Sequence, residues 1–383
     1  MEFDFLSPIN AEILLFTETL AHQQLGHVIR KHTLNFFPNL DDANIAIIGV
    51  LENRNSDQKN LIVNLSPIRR ELYQLYTGNW QTNIVDLGDI LNGENVADTY
   101  FAINSITSSL LKKGITTIVL GGSQDLTYPI YRAFDNLDQM VNLVCIDNKF
   151  DLGDAEYELT SHSYLSKIII DEPNNLNNFS NIGYQTYYNS QEEINLLEKL
   201  YFDAYRLGAI TSNIEIAEPI LRNANIISLD MTVVKAFYIN DGSHFEPNGF
   251  DGKEICTLAR YAGISDKIDV IGLFNHNNSE QQVVLLAQII WYFIEGYSLR
   301  NIEYPSSAHE SFLKYIVPVD DQELLFFKSI KTQRWWIEIP IFSFNNNKKL
   351  KQSLLPCSYQ DYLSACEQQI PDRWWKAQQK NIL

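Results

Sequence analysis

The sequence lacks the marks of several large classes of protein. Its four cysteines form no CxxC pair, which argues against a zinc ribbon or a thioredoxin-like redox motif and favours a reducing compartment. Its longest apolar run, residues 283–294, is only about half of the roughly 20 residues needed to span a bilayer. The N-terminus has neither the basic region nor the uninterrupted apolar core of a signal peptide. We therefore expect a cytoplasmic protein without a membrane span.

Positive charge is scarce as well. The chain has 29 Lys and Arg against 47 Asp and Glu, a net charge of −18, and no dense basic run. Such a chain repels phosphate backbones, which argues against nucleic acid as a partner. GxSxG, P-loop, HExxH and GxGxxG motifs are also missing from the sequence, so serine-hydrolase, nucleotide-binding and zincin functions have no support.

What the sequence does contain is a regular alternation of short β-branched runs and helical segments. The predicted strands are residues 45–50, 83–87, 115–120, 142–147, 226–230 and 268–274. This alternation is typical of a mainly parallel sheet covered by helices on both faces, a three-layer α/β/α arrangement. Between two of the strands, the apolar spacing predicts one helix over residues 192–207, ending at Gly208.

The alternation ends near residue 300. We therefore divide the chain into an N-terminal extension (1–42), an α/β domain (43–300) and a C-terminal extension (301–383) packed on that domain. Within the last part, residues 323–330 and 334–342 predict a β-hairpin. An Arg-Trp-Trp word occurs at 334–336 and again at 373–375. We interpret its tryptophans as anchors of the extension; the alternative is a partner-binding surface, because Trp and Arg are enriched at hot spots.

Short polar segments follow four of the predicted strands. In open parallel sheets ligands bind outside the carboxyl ends of the strands, so these words predict a site. They are Gly121-Gly122-Ser123-Gln124-Asp125, Asp147-Asn148-Lys149-Phe150-Asp151, Asp230-Met231-Thr232 and Asn275-His276-Asn277.

In order, spacing and strand context, the segments Gly121 to Asp125, Asp147 to Asp151 and Ser228 to Thr232 resemble the motifs of the ureohydrolase family, which contains arginase, agmatinase and formimidoylglutamase, and the formimidoylglutamase branch in particular. The family's words are Gly-Gly-Asp-His-Ser, Asp-Ala-His-x-Asp and Ser-x-Asp-x-Asp, which together bind two manganese ions. The resemblance covers roughly residues 43 to 298. It implies an arginase-like α/β/α fold and allows a homo-oligomer such as a trimer or a hexamer.

The departures from the family pattern matter more than the matches. Gln124 and Lys149 stand where the family has histidine ligands, and Thr232 stands where it has its last aspartate ligand. The residual metal candidates are Asp147, Asp151 and Asp230.

Two further positions follow from the same resemblance. Asn275 stands where the family carries a glutamate that orients the substrate, which makes it a substrate-pocket position. His162 lies near the place where arginase-like enzymes carry a histidine used in proton transfer, and it is the one catalytic candidate.

Lys149 is the strongest argument against the family's metal site. A charged lysine has no lone pair for a metal. A unit-charge pair about 4 Å apart in an effective dielectric of about 20 is worth roughly 4 kcal/mol, so Lys149 would oppose a divalent ion by about 8 kcal/mol. We predict instead that Lys149 is a counter-ion paired with one of the three aspartates. The alternative is a single Mg²⁺, Ca²⁺ or Mn²⁺ held by these aspartates and the Gln124 amide.

The sequence therefore predicts a non-catalytic homologue that binds a small ligand or a protein partner, without a cofactor. One alternative is an active hydrolase of C–N bonds in linear amidines or guanidines, with one metal or a relocated site. Another is an assembly protein that docks a partner through its terminal extensions.

Overall fold

A mostly parallel sheet forms the centre of the chain in a computed structural model, which describes residues 3–57, 59, 62–137, 139–154, 158–235, 246–277, 279–305, 311–340 and 354–382. The strand order along the sheet is β1-β4-β3-β5-β10-β9-β6-β7-β8, and β2 also pairs with β4. Only the β1–β4 pair is antiparallel among the described strands of this sheet. The strands of this central sheet are β1 (Leu6–Ser7), β2 (Arg30–Lys31), β3 (Ile45–Val50), β4 (Ile84–Ile90), β5 (Thr116–Leu120), β6 (Val141–Ile146), β7 (Leu176–Tyr184), β8 (Asp203–Arg206), β9 (Ile226–Asp230) and β10 (Val270–Phe274).

Helices cover both faces of this sheet. They are α1 (Ala11–Thr17), α2 (Leu25–Val28), α3 (Ser66–Gln74), α4 (Val96–Lys112), α5 (Thr127–Arg132), α6 (Tyr164–Ile170), α7 (Gln191–Lys199), α8 (Leu207–Ser212), α9 (Ala217–Arg222), α10 (Gly252–Ile264) and α11 (Glu280–Ser298). Two more helices, α12 (Tyr359–Cys366) and α13 (Asp372–Ile382), lie in the C-terminal part and contribute Ala365 and Trp374 to its own core. Within β3, Ile45 and Ile47 join the core under α3, α10 and α11, while Ala46 and Ile48 join the core under α4, α5 and α6. Side chains alternate across a strand, so each strand supplies both cores. The predicted three-layer arrangement is confirmed.

The apolar run at residues 283–294 lies within α11, whose inward side chains pack into the first core. No helix among the described residues is both long enough and apolar enough to cross a membrane.

The predicted helix over residues 192–207 is wrong in its second half. The helix α7 begins at a capping box formed by Ser190 and Glu193 but ends at Lys199. Tyr201 then adopts a left-handed backbone conformation, with a φ of 54°, which stops the helix. The chain continues as the edge strand β8, which pairs with β7. The apolar spacing places Ala204 and Tyr205 on one helical face, whereas in β8 they pack against two different cores.

The C-terminal part forms a second, antiparallel sheet, β11-β12-β13-β14. Its strands are β11 (Phe312–Val319), β12 (Gln322–Ser329), β13 (Trp335–Glu338) and β14 (Leu354–Cys357). The predicted hairpin is confirmed as β12 and β13, although the predicted end of its second strand lies outside the described residues.

Contacts between this C-terminal sheet and the rest of the chain centre on Arg222. Its guanidinium donates to the carbonyl oxygens of Trp335 (3.0 Å) and Cys357 (3.3 Å) and stacks over the Trp336 ring at 4.5 Å. On the last helix, Lys376 pairs with Asp203 of β8 at 3.1 Å. The domain boundaries at residues 42 and 300 stay a prediction.

The four tryptophans of the two Arg-Trp-Trp words differ in exposure. Trp335, Trp336 and Trp374 are buried, whereas Trp375 is 42% exposed and packs edge-on against Tyr201. Trp335 and Trp374 pack into the core of the C-terminal part itself, and Trp336 contacts Arg222. That the tryptophans anchor the extension on the α/β domain stays a prediction.

Candidate functional site

The four polar words meet at one edge of the sheet. The strands that carry them, β5, β10, β9 and β6, are consecutive neighbours in the strand order. Their carboxyl ends lie side by side because all three pairs are parallel. This central position, rather than any single residue, brings the predicted site together.

Three buried aspartates form the centre of the site. Asp147 follows β6, Asp151 comes four residues later, and Asp230 ends β9; each is less than 8% exposed. Asp147 Oδ1 accepts the backbone N–H of Lys149 at 2.9 Å, and Asp230 Oδ1 accepts that of Thr232 at 2.7 Å. These local turns hold each carboxylate against its own strand end.

The carboxylates repel one another electrostatically. Burial, followed by the charges of Asp230 and Asp151, raises the pKa of Asp147 well above its usual range. Burial also raises the pKa of Asp230 to about 6, although hydrogen bonds from Thr232 and Asn275 act in the opposite direction. The centre of the site therefore favours any added positive charge.

Amide side chains occupy the positions around the aspartates. Asn275 Nδ2 donates to Asp230 Oδ2 at 2.6 Å, and Gln124 Nε2 donates to Ser228 Oγ at 3.2 Å. Asn275 and Asp151 both have left-handed backbones, with φ values of 55° and 54°, which Asn and Asp tolerate better than most residues. Gln124 Oε1 and Asp147 Oδ2 are buried and accept no hydrogen bond from the described residues. The site thus presents unused acceptors.

The predicted ion pair of Lys149 is not formed. Its ammonium lies 5.8 Å from the ring centre of Tyr188, and among the described residues it has no carboxylate partner. The backbone explains the difference: the Lys149 N–H goes to Asp147, and the Lys149 carbonyl accepts from Asn181 Nδ2 at 2.9 Å. Lys149 therefore supports Asp147 through its peptide group, while the half-buried side chain packs on an aromatic ring.

His162 is the cationic group that contacts the aspartates. Its Nδ1 lies 3.2 Å from Asp151 Oδ1 and its Nε2 lies 2.7 Å from Asp57 Oδ2. The hydrogen bond to Asp151, together with that to Asp57, raises the pKa of His162 to about 9 despite partial burial. The side chain is 45% exposed, so it stands at the rim of the site. Among the described residues, Asp147 and Asp230 have no such partner.

A neighbouring buried network was not predicted. Asp125, the last residue of the Gly121 word, accepts a short hydrogen bond from the Tyr100 hydroxyl, which in turn accepts from Asn55 Nδ2 at 2.9 Å. Burial raises the pKa of Asp125. Glu52, fully buried after β3, accepts from Arg54 and from the Thr99 hydroxyl at 2.9 Å. The sequence feature that could have predicted this network is a carboxylate shortly after each of two strands. Hydrophobic periodicity takes no account of such residues.

The residues present do not fit a pair of manganese ions. Such a site needs imidazole and carboxylate donors converging on each metal. Gln124 turns its amide nitrogen to Ser228, Thr232 has no carboxylate, and Asn275 occupies an oxygen of Asp230. Among the described residues, no group of three or more His, Cys, Asp or Glu side chains is arranged to hold a metal ion.

Comparison with known proteins gives one family and a consistent set of folds. The model of the arginase family matches residues 44–294 of the chain. No curated protein sequence matches the chain significantly.

Solved structures resemble the chain over most of its length. Formiminoglutamase of Trypanosoma cruzi, in a structure with Mn²⁺, has a TM-score of 0.63 at 15% identity and covers 73% of this chain and 99% of its own. Formimidoylglutamase of Bacillus subtilis has a TM-score of 0.63 at 16% identity, covering 73% of this chain and 93% of its own. Agmatine ureohydrolase of Thermoplasma volcanium has a TM-score of 0.56 at 16% identity, covering 73% of this chain and 95% of its own. At such identities the likeness concerns the fold.

Proposed function

Since the chain belongs to the arginase family, we propose that it is a non-catalytic member, which binds a small organic cation at the strand-end site without metal. The ligand class is a guanidinium, an amidinium or a primary ammonium. The observation that carries the proposal is the set of buried carboxylates, Asp147 and Asp230 above all, that lack a cationic partner among the described residues.

The chemistry of the free acceptors suits a planar cation with several N–H donors. Asp147 Oδ2 and Gln124 Oε1 are buried acceptors without a donor from the described residues. Carboxylates bind guanidinium and amidinium groups through two parallel N–H···O bonds, which are charge-assisted and therefore stronger than neutral ones. An added cation would also relieve the repulsion among the three aspartates. A neutral or anionic small ligand does not relieve this repulsion.

Calorimetry with metal-free protein tests the proposal. After EDTA treatment, we expect agmatine and formamidine to bind and to raise the melting temperature, since a ligand of the native state stabilises it by about 2.7 kcal/mol at a hundredfold excess over Kd. Urea and glutarate, which are neutral and anionic, serve as controls. Asp147→Asn should abolish the shift, whereas Asp135→Asn, in a half-exposed pair with Arg132, should leave it unchanged. Equal binding of the neutral and anionic controls would contradict the proposal.

One observation favours a second candidate, a hydrolase of amidine or guanidine C–N bonds. His162 is retained in contact with Asp151, where it could hold or release a proton at the site. The two candidates differ in turnover. Release of urea from agmatine or arginine, or of formamide from formimidoylglutamate, lost on His162→Ala, would support the hydrolase, while binding without release would support the non-catalytic function.

A further inference from the structure

Two histidines in the N-terminal segment lie in direct contact, outside the strand-end site. His22 Nδ1 is 2.9 Å from His27 Nε2, the ring centroids are 4.4 Å apart, and the ring planes cross at 86°. Both side chains are exposed to solvent. Nothing in the proposed function uses this pair.

The ring separation does not fit a well-aligned hydrogen bond between the two imidazoles. When an N–H points along its ring axis at the lone pair of the other ring, an N···N distance of about 2.9 Å places the ring centres about 5 Å apart. The 4.4 Å between the His22 and His27 centroids is clearly shorter. The His22 and His27 rings therefore do not lie on one common axis.

A metal ion shared by two imidazole rings gives separations of this size. Two imidazole nitrogens that each lie about 2.0–2.1 Å from one metal, at an angle of about 90°, are about 2.9 Å apart and their ring centres about 4.5 Å apart. A tetrahedral angle would open the N···N distance to about 3.3 Å. The separations between His22 and His27, 2.9 Å and 4.4 Å, match the right-angled case.

We propose that His22 and His27 form a binding site for a divalent transition metal of octahedral or square-planar preference, Cu²⁺ or Ni²⁺. No third His, Cys, Asp or Glu joins the pair among the described residues, so water completes the coordination. The residues between His22 and His27 are anchored to the rest of the chain without a bound metal. Leu25 N donates to the Leu75 carbonyl at 2.8 Å, and Gln24 Nε2 donates to the Gln74 carbonyl at 2.6 Å. Such anchoring lowers the entropy cost of binding.

Calorimetric titration of metal-free protein with NiCl₂ tests the site. The exposed thiol of Cys366 is first removed by Cys366→Ser, so that it does not compete for the metal. We expect one Ni²⁺ per chain, with affinity at least about tenfold lower in His22→Ala and in His27→Ala. His162→Ala, a histidine of the strand-end site, is the matched control and should bind Ni²⁺ as the parent does.

Two further readouts make the result decisive. Zn²⁺, which prefers the wider tetrahedral angle, should bind more weakly than Ni²⁺. The electron paramagnetic resonance spectrum of bound Cu²⁺ should show hyperfine coupling to two imidazole nitrogens. Because both side chains are exposed, the alanine variants should keep the parent's circular dichroism. Unchanged Ni²⁺ affinity in folded His22→Ala and His27→Ala, or loss of binding only in His162→Ala, would overturn the proposal.

Discussion

Replacing Asp147 by asparagine is expected to stabilise the protein while abolishing its response to organic cations. The substitution keeps Oδ1 as the acceptor of the Lys149 N–H and exchanges the unpaired Oδ2 for an amide group. The neutral amide no longer repels the carboxylates of Asp151 and Asp230, whose charges raise the pKa of Asp147. Burial of unpaired like charges costs folding energy that a neutral side chain avoids.

The expected gain is about 2 kcal/mol. A pair of unit charges about 7 Å apart in an effective dielectric of about 20 repels by roughly 2 kcal/mol. Asp147 interacts with two such neighbours, and partial protonation already relieves some of the repulsion in the parent protein. For a domain of this size, about 2 kcal/mol corresponds to a rise of about 5 °C in Tm.

Urea denaturation of metal-free parent, Asp147→Asn and Asp135→Asn at pH 7 measures the effect. Asp135→Asn should be slightly less stable than the parent, because it weakens the ion pair with Arg132. A ligand of a native metal would behave in the opposite way: Asp147→Asn would lower both metal content and stability. A loss of stability in Asp147→Asn, together with stabilisation by Mn²⁺ of the parent but not of this variant, would refute the reasoning.

Three other substitutions give independent checks. Burial lowers the pKa of Lys267 to about 8, so the folded state carries a cost below pH 8 that disappears as pH rises toward the unfolded value near 10. Lys267→Met should therefore be about 2 kcal/mol more stable than the parent at pH 7, a value that already includes the loss of the lysine's one hydrogen bond. Denaturation at a series of pH values should show this advantage shrinking by pH 10. Arg222→Ala should cost about 3–5 kcal/mol and make the C-terminal sheet sensitive to limited proteolysis, because it removes the ion pair with Glu218 and the hydrogen bonds to the carbonyls of Trp335 and Cys357. Arg260→Ala, with a half-exposed partner, is the matched control. Lys149→Met should cost less than about 1 kcal/mol, the value of a half-exposed cation–π contact, whereas a cost of several kcal/mol would restore the counter-ion role.

Much of the fold could be predicted because buried parallel strands have an unambiguous sequence pattern. The predicted strands at residues 45–50 and 226–230 coincide with β3 and β9, and the family recognised from the strand-end words is confirmed. The strand β7 was missed, since its polar first half, Leu-Asn-Asn, resembles a loop. Tertiary pairing, which sequence periodicity does not see, decided that segment.

The site was predictable in position but not in its contacts. Strand order alone places Gln124, Asp147, Asp230 and Asn275 together. The direction of the Lys149 side chain depended on Tyr188, which comes after another strand, and so could not be read from the local word. Likewise, Asp57 reaches His162 across 105 residues of sequence. Long-range contacts of this kind set the electrostatics of the site.

Isothermal titration of agmatine into the parent protein, once with EDTA and once with excess Mn²⁺, tests the central claim most directly. If the strand-end carboxylates bind the cation themselves, the affinity is the same or higher in EDTA and is lost in Asp147→Asn. If agmatine binds or turns over only when Mn²⁺ is present, the site has kept its family chemistry and the account is contradicted.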